Sequence, residues 1–236
     1  MPNRPQLFCF TFAGGTAGFF NEIAGEMPGI ETVGLEYQGH GTRRKELIYN
    51  SFNELADDMF VQLRQYYIGG KYGLFGYSMG SISVVEILFR IIESGMKTPS
   101  CVFIAAHEPH TKSELLNYTD DVLDEWVKER TIRFGAVPEK LLDNSVFWRT
   151  YLPLYRADYT IIGKYEFEKL KLCTDVPAVI FYSETDTPRK DMELWKKYFI
   201  GKCELFRFEG QHFFIREHYR KMAEIITKRL GAGNEI

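Results

Sequence analysis

Apolar residues along this chain fall into two patterns that take turns: short unbroken runs, and stretches in which they recur every three or four positions. The segment 7–12 (LFCFTF) is a near-continuous apolar run that stops at Ala13-Gly14-Gly15, as expected for a parallel strand buried on both faces. Runs at 32–37 (TVGLEY), 72–75 (YGLF), 101–106 (CVFIAA), 177–183 (PAVIFYS) and 203–208 (CELFRF) predict five more strands. Between the second and third, Ser51-Phe52-Asn53-Glu54 has the form of a capping box, in which serine and glutamate satisfy free N–H groups at a helix start. Leu55, Met59, Leu63 and Tyr66 follow at helical spacing, so one face of that helix is buried. The stretch SISVVEILFRII after residue 80 is apolar on nearly every side and predicts a helix packed beside the sheet. A further helix is expected from about 188, with Thr187 as N-cap and Pro188 at its first position. Ile215, Tyr219, Met222, Ile226 and Leu230 predict a closing helix.

Strands alternating with helices imply an α/β fold with a mostly parallel central sheet flanked by helices, and reactive loops at the carboxyl ends of the strands. The alternation fails between His107 and Cys173. There, Val122, Leu123, Trp126 and Val127 fit one helix and Val146, Phe147, Tyr151, Leu154 and Tyr155 another. A stretch that long is not a plain loop; it reads as a helical lid, 107–172, inserted into a single domain spanning 1–236. The tail 231–236 reads as frayed.

Composition narrows the partners. A net charge of −3 argues against a nucleic-acid binder, and Arg43-Arg44-Lys45 is expected to be a solvated loop. The four cysteines, Cys9, Cys101, Cys173 and Cys203, form no CxxC pair and are expected to be reduced and structural. The opening MPNRPQ runs straight into a strand, and no stretch approaches the ~20 apolar residues that cross a bilayer, so a soluble, cytoplasmic chain is expected. His107-Glu108-Pro109-His110 lacks a third ligand and carries a proline, so no metal site is expected there. Ala13-Gly14-Gly15-Thr16 lacks the lysine or glycine spacing of a nucleotide loop.

The chemistry centres on Gly76-Tyr77-Ser78-Met79-Gly80. Gly-x-Ser-x-Gly is weak alone, but a strand before it and a helix after it are the setting of a nucleophile elbow, which lifts the serine above the sheet edge. A serine hydroxyl needs a base that titrates near neutrality. Of the five histidines, His212 lies between the last strand and the last helix, the position of the base in the α/β-hydrolase fold. His107 and His110 would precede the acid in the chain, His40 lies in a glycine loop, and His218 is one turn into a helix. The acid is expected after a strand between nucleophile and base. Asp186 meets that requirement, with Glu184 as runner-up and Asp175, which precedes the strand, less suited. Two backbone N–H groups are needed for a developing oxyanion; those of Met79 and Ala13 are the candidates.

Several motifs together resemble the stand-alone type II thioesterases of non-ribosomal peptide and polyketide synthesis. They are Leu7-Phe8-Cys9-Phe10 with Ala13-Gly14-Gly15, Glu36-Tyr37-Gln38-Gly39-His40-Gly41, Phe75-Gly76-Tyr77-Ser78-Met79-Gly80, Pro109-His110, Leu152-Pro153-Leu154-Tyr155-Arg156-Ala157-Asp158 and Gly210-Gln211-His212-Phe213-Phe214. The chain departs from the family at Gln38-Gly39-His40-Gly41, where Pro-Gly-Arg-Gly is usual, at Thr11-Phe12, often Pro-His, and at Gln211, usually glycine. The resemblance implies hydrolysis of acyl or aminoacyl thioesters from the phosphopantetheine arm of a carrier protein, with no metal or organic cofactor; a monomer is expected. It places Phe12 and Gln38 at the mouth and makes Phe147, Trp148 and Tyr151 candidates for an acyl channel under a mobile lid. Two other readings use the same residues: a carboxylesterase or lipase acting on free esters, and a binding protein that keeps the fold without turnover.

Overall fold

The computed structural model describes residues 4–109 and 120–231. Six strands, β1 (Gln6–Phe10), β2 (Glu31–Gly34), β3 (Tyr72–Tyr77), β4 (Cys101–Ala105), β5 (Ala178–Tyr182) and β6 (Cys203–Arg207), form one sheet in the order β2-β1-β3-β4-β5-β6. Every neighbouring pair is parallel. Each strand lies where an apolar run predicted it, but several stop short of the run's end. Thr11, Leu35 and Tyr37 have left the ladder and are still fully buried. An apolar run reports burial, and burial here continues into the loops beyond the last paired residue.

Among the described residues seven α-helices accompany the strands: α1 (Asn21–Gly25), α2 (Phe52–Tyr66), α3 (Met79–Glu93), α4 (Asp120–Arg133), α5 (Ser145–Gly163), α6 (Arg189–Met192) and α7 (Ile215–Leu230). Strand side chains alternate between two cores, as a two-residue period requires. Phe8, Phe10, Leu74, Val102, Ile104 and Ile180 face one core with α2, α3 and α5. Leu7, Cys9, Phe75, Phe103, Val179 and Phe181 face the other with α1 and α7. Filling two cores from both faces of one sheet explains why the inner strands β1, β3, β4 and β5 read as unbroken apolar runs.

Local signals in the chain set the helix ends to within a residue. Ser51 caps α2, its Oγ accepting from the Glu54 N–H at 3.2 Å. Glu54 reaches back to the Asn50 N–H at 2.8 Å, one residue earlier than the ideal box. The helix expected at 188 begins one residue later: Pro188 is the N-cap and Arg189 the first helical residue, with Thr187 buried in the preceding turn. Arg43 is not part of a solvated basic loop. Its guanidinium holds Asp58 and Glu46 and donates to the Glu36 carbonyl at 3.0 Å. Asp58 is brought to Arg43 from α2, which a local charge run does not reveal, while Arg44 and Lys45 are exposed as expected.

Two helices do fall between β4 and β5. α5 runs through Pro153 and buries Trp148, Leu154, Tyr155, Asp158, Tyr159, Ile161 and Ile162; this packing outweighs the cost of an internal proline. Among the described residues of α4, Val127 and Thr131 are buried. His110, most of the segment joining β4 to α4, and the tail from 232 lie outside the described residues. No helix among the described residues is long and apolar enough to cross a membrane. Cys9, Cys101, Cys173 and Cys203 are free thiols, and burial pushes the Cys101 thiol up to about 12.

The strand order reverses between β1 and β3. Chain crossing from β1 goes one way to β2 and from β3 the other way to β4, which opens a crevice at the carboxyl ends of β1 and β3.

Candidate active site

Ser78 stands in that crevice, at the turn between β3 and α3. Its backbone has φ 54° and ψ −118°, a left-handed conformation that costs a non-glycine residue about 1–3 kcal/mol. The surrounding chain enforces it. The Ser78 N–H donates to the Ala105 carbonyl at 2.8 Å and its own carbonyl accepts from Ser81 at 2.8 Å. A Cβ at Gly76 would lie 2.1 Å from the Gly80 carbonyl oxygen, and one at Gly80 would lie 1.9 Å from that of Phe10. Both glycines are therefore demanded by backbone passing against backbone. Ser78 makes no side-chain cap to α3, so its hydroxyl is not spent on the helix.

His212 follows β6. Its Nε2 lies 3.0 Å from Ser78 Oγ, and its Nδ1 lies 3.0 Å from each carboxylate oxygen of Asp186, which follows β5. An ionised carboxylate only accepts, so Nδ1 carries the hydrogen and the Nε2 lone pair faces the serine O–H. Both side chains are more than nine-tenths buried. The loops that carry them are stitched together: the Ser183 and Thr185 hydroxyls both donate to the Gly210 carbonyl. The buried Tyr77 hydroxyl donates to the His212 carbonyl at 2.6 Å; burial keeps this phenol well above its ordinary pKa and hence a donor.

The other described histidines are occupied elsewhere. His107 is half-buried, its pKa held down by desolvation, with its Nδ1 at 2.5 Å from the Glu108 carbonyl. His218 Nε2 faces the Glu209 carbonyl at 2.9 Å. His40 pairs with Asp158 at 2.9 Å. Glu184 is exposed, its carboxylate accepting from the Arg189 N–H at 3.5 Å.

The loop after β1 forms the opposite wall. Gly15 donates to the Phe12 carbonyl at 2.9 Å, closing a turn over 12–15 with Gly14 at φ 74°. Ala13 occupies the second position of the turn, where the turn's own hydrogen bond leaves its N–H unused. Met79 is the first residue of α3, where an N–H has no intrahelical acceptor. These two donors are available for an oxyanion as far as backbone pairing goes.

The Phe12 ring packs 4.7 Å from Phe213, next to the candidate base. Gln38 sits on the loop after β2, its N–H donating to the Tyr49 hydroxyl at 3.0 Å. Phe147 and Tyr151 stack 4.8 Å apart at the start of α5, Tyr151 half exposed. Trp148 is buried, with its indole N–H on the Leu142 carbonyl at 2.7 Å. Those three make an aromatic group of their own. The aromatic that does lie on the candidate base is Phe134, just after α4, whose ring stacks on His212 at 4.2 Å and 21°. Periodicity does not single out Phe134, because it lies past the end of its helix; the neighbouring Gly135 is the one local sign of a turn there.

In chemical terms, a hydroxyl against an imidazole lone pair, a carboxylate behind that imidazole, and two free N–H donors make an arrangement able to attack a carbonyl and stabilise the resulting oxyanion. Known proteins point to the same chemistry. The rat medium-chain S-acyl fatty acid synthase thioesterase (Rattus norvegicus) is 26% identical over 214 residues, covering 89% of this chain and 81% of the relative. The type II thioesterase BorB from the borrelidin biosynthetic cluster superposes with a TM-score of 0.82 at 26% identity, covering 98% of this chain and 94% of its own. ClbQ from the colibactin NRPS/PKS pathway superposes with a TM-score of 0.86, covering 96% and 97%; at 22% identity that likeness is one of fold. The thioesterase domain model matches residues 5–230, nearly the whole chain, and the protein therefore belongs to the thioesterase domain family, as a hydrolase acting on thioesters.

Proposed function

We propose that this chain releases acyl or aminoacyl groups from the phosphopantetheine arm of carrier proteins in an assembly line of the non-ribosomal peptide or polyketide kind. Ser78, His212 and Asp186 are the reacting groups. The observation that carries the reading is the continuous relay from Asp186 through both His212 nitrogens to Ser78 Oγ, each step 3.0 Å. The family membership, and the biosynthetic settings of the borrelidin and colibactin enzymes, support a thioester on a carrier as the substrate.

Ser78 Oγ attacks the thioester carbonyl carbon as its proton passes to His212 Nε2. The oxygen, now negative, accepts from the N–H groups of Ala13 and Met79. Collapse breaks the C–S bond, and the departing sulfur takes the proton from His212, leaving an acyl-serine. Water then attacks, giving its proton to His212; collapse returns that proton to Ser78 Oγ and frees the acid. Asp186 holds the imidazole in the required tautomer and balances its charge while it is protonated. Every proton has a donor and an acceptor in the chain or in water, so the scheme uses no metal or organic cofactor.

The test offers the purified chain a panel of acyl-carrier proteins, the same acyl groups on simple thiols, and p-nitrophenyl esters, beside Ser78→Ala. Faster release from carrier than from simple thiol, abolished in Ser78→Ala, is expected. Equal turnover of free oxygen esters and acyl-carriers would overturn the carrier assignment, and hydrolysis persisting in Ser78→Ala would overturn the serine.

A further inference from the structure

A second acid–imidazole pair lies in this molecule, made by Asp158 of α5 and His40 of the loop after β2. Both side chains are fully buried. Asp158 Oδ2 accepts from His40 Nε2 at 2.9 Å and from the Gly14 N–H at 2.6 Å. His40 Nδ1 faces the Gln38 carbonyl at 2.9 Å.

The two pairs differ at the far nitrogen. In His212 that nitrogen meets a hydroxyl, which can donate, so the neutral imidazole is satisfied. In His40 it meets a carbonyl, which cannot. With an acceptor at each end, His40 satisfies both contacts only with hydrogens on both nitrogens. Burial by itself lowers the pKa of His40, but the charge and hydrogen bond of Asp158, with the Gln38 carbonyl and Glu36, outweigh it, and the net direction is upward. The groups around the pair are Asp158, Tyr155 and Tyr159 on α5 and Glu36 and Tyr37 on His40's own segment. Tyr155 and Tyr37 are both pushed up from their ordinary pKa by burial and stay neutral.

The pair reaches the proposed oxyanion loop directly. The N–H that Asp158 takes belongs to the Ala13–Gly14 peptide, the central peptide of the 12–15 turn. The same helix presses Tyr155 against that turn so closely that a Cβ on Gly14 would lie 2.0 Å from its ring. Asp158 Oδ1 is buried without a hydrogen-bond partner among the described residues. A buried ion pair is poor value for stability, and an apolar replacement often serves as well. An under-satisfied one makes more sense as a device that specifies geometry.

We propose that Asp158 and His40 are positioning residues for the oxyanion loop: the buried pair orients the Ala13–Gly14 peptide, and through it the Ala13 N–H. The inference rests on the proposed role of Ala13, and it predicts a loss in the chemical step with little change in ground-state binding.

The test measures hydrolysis of a short acyl thioester of N-acetylcysteamine by the full chain and by Asp158→Ala, Asp158→Asn and His40→Gln. Competent sites are counted by exhaustive fluorophosphonate labelling of Ser78, and melting temperatures are taken in parallel. In Asp158→Ala, kcat per labelled site is expected to fall about 100-fold, the scale of one oxyanion donor, with KM within about threefold. Asp158→Asn keeps an oxygen for Gly14 but loses the charge that holds His40, and is expected to fall about tenfold. His40→Gln is expected to match it. Variants that melt lower while keeping wild-type kcat per labelled site would make the pair merely structural and overturn the proposal. Should Asp158→Ala not fold, Asp158→Asn and His40→Gln decide on the same readout. Hydrolysis surviving in Ser78→Ala would instead remove the reading on which the pair's role rests.

Discussion

The loops at the carboxyl ends of β3, β5 and β6 and the helical insertion of α4 and α5 serve one site by different physical means. Ser78, Asp186 and His212 sit on short connections whose backbones are tied on several sides: Ser78 to Ala105 and Ser81, the Asp186 loop to the Gly210 carbonyl, His212 to Tyr77. The insertion supplies none of these three. It reaches the site through side chains, with Phe134 against His212 and, on the loop after β1, Asp158 and Tyr155 against Gly14. A reacting group needs its position over-determined, whereas a wall needs only to fill space at the right distance. The first requirement falls on strand ends; the helices meet the second with Phe134 and Tyr155, while Asp158 adds one directed hydrogen bond to Gly14.

Substitutions sharpen that contrast. Asp186→Asn is expected to lower kcat about ten-thousandfold, since the imidazole loses its orientation and tautomer. Glu184→Gln should remain near wild type; steady-state kinetics on both separates the two carboxylates, and the reverse outcome would move the acid to Glu184. Gly80→Ala drives a methyl group into the Phe10 carbonyl and is expected to cost about 3 kcal/mol of stability, read as a lower urea midpoint. Gly25→Ala, where a Cβ meets nothing within 4 Å, is its control.

Within the insertion, the two helices are expected to part company. α5 is held by its buried residues and by Asp158, while among the described residues of α4 only Val127 and Thr131 are buried. Amide exchange is therefore expected to be about tenfold slower or more in α5 than in α4, since local opening follows burial. Equal exchange in both would mean that burial does not set the local stability of the two helices. The smallest effect is expected at Phe134→Ala, which removes a stack worth about 1 kcal/mol and should lower kcat/KM severalfold without abolishing it. A loss as large as that of Asp186→Asn would mean that the insertion reaches into the chemistry itself.

Much of this was legible in the linear chain, for reasons that differ by element. The four inner strands announce themselves because a sheet covered on both faces has no polar side to interrupt their apolar runs, while the edge strands β2 and β6 are only partly buried and carry Glu31, Glu204 and Arg207. The elbow is visible because Gly76 and Gly80 are required by contacts within a few residues of Ser78 and with the strand beside it. Asp186 and His212 follow from chain order and from their places after strands. Phe134 left no trace, because its partner is 78 positions away and nothing periodic marks it. Arg43 reads as solvated in the linear chain, and the fold brings Asp58 and the Glu36 carbonyl to it.

The sequence by itself determined the layered α/β architecture, the serine on its strained turn and the order of the candidate acid and base, because each depends on residues near one another or on a pattern repeated along the chain. Only the tertiary structure decided that His40 meets Asp158, that this pair holds Gly14, and that Phe134 lies on His212. Those contacts join segments tens to more than a hundred residues apart. Their energies depend on burial and on which nitrogen faces which oxygen, and both exist only once the chain has closed on itself.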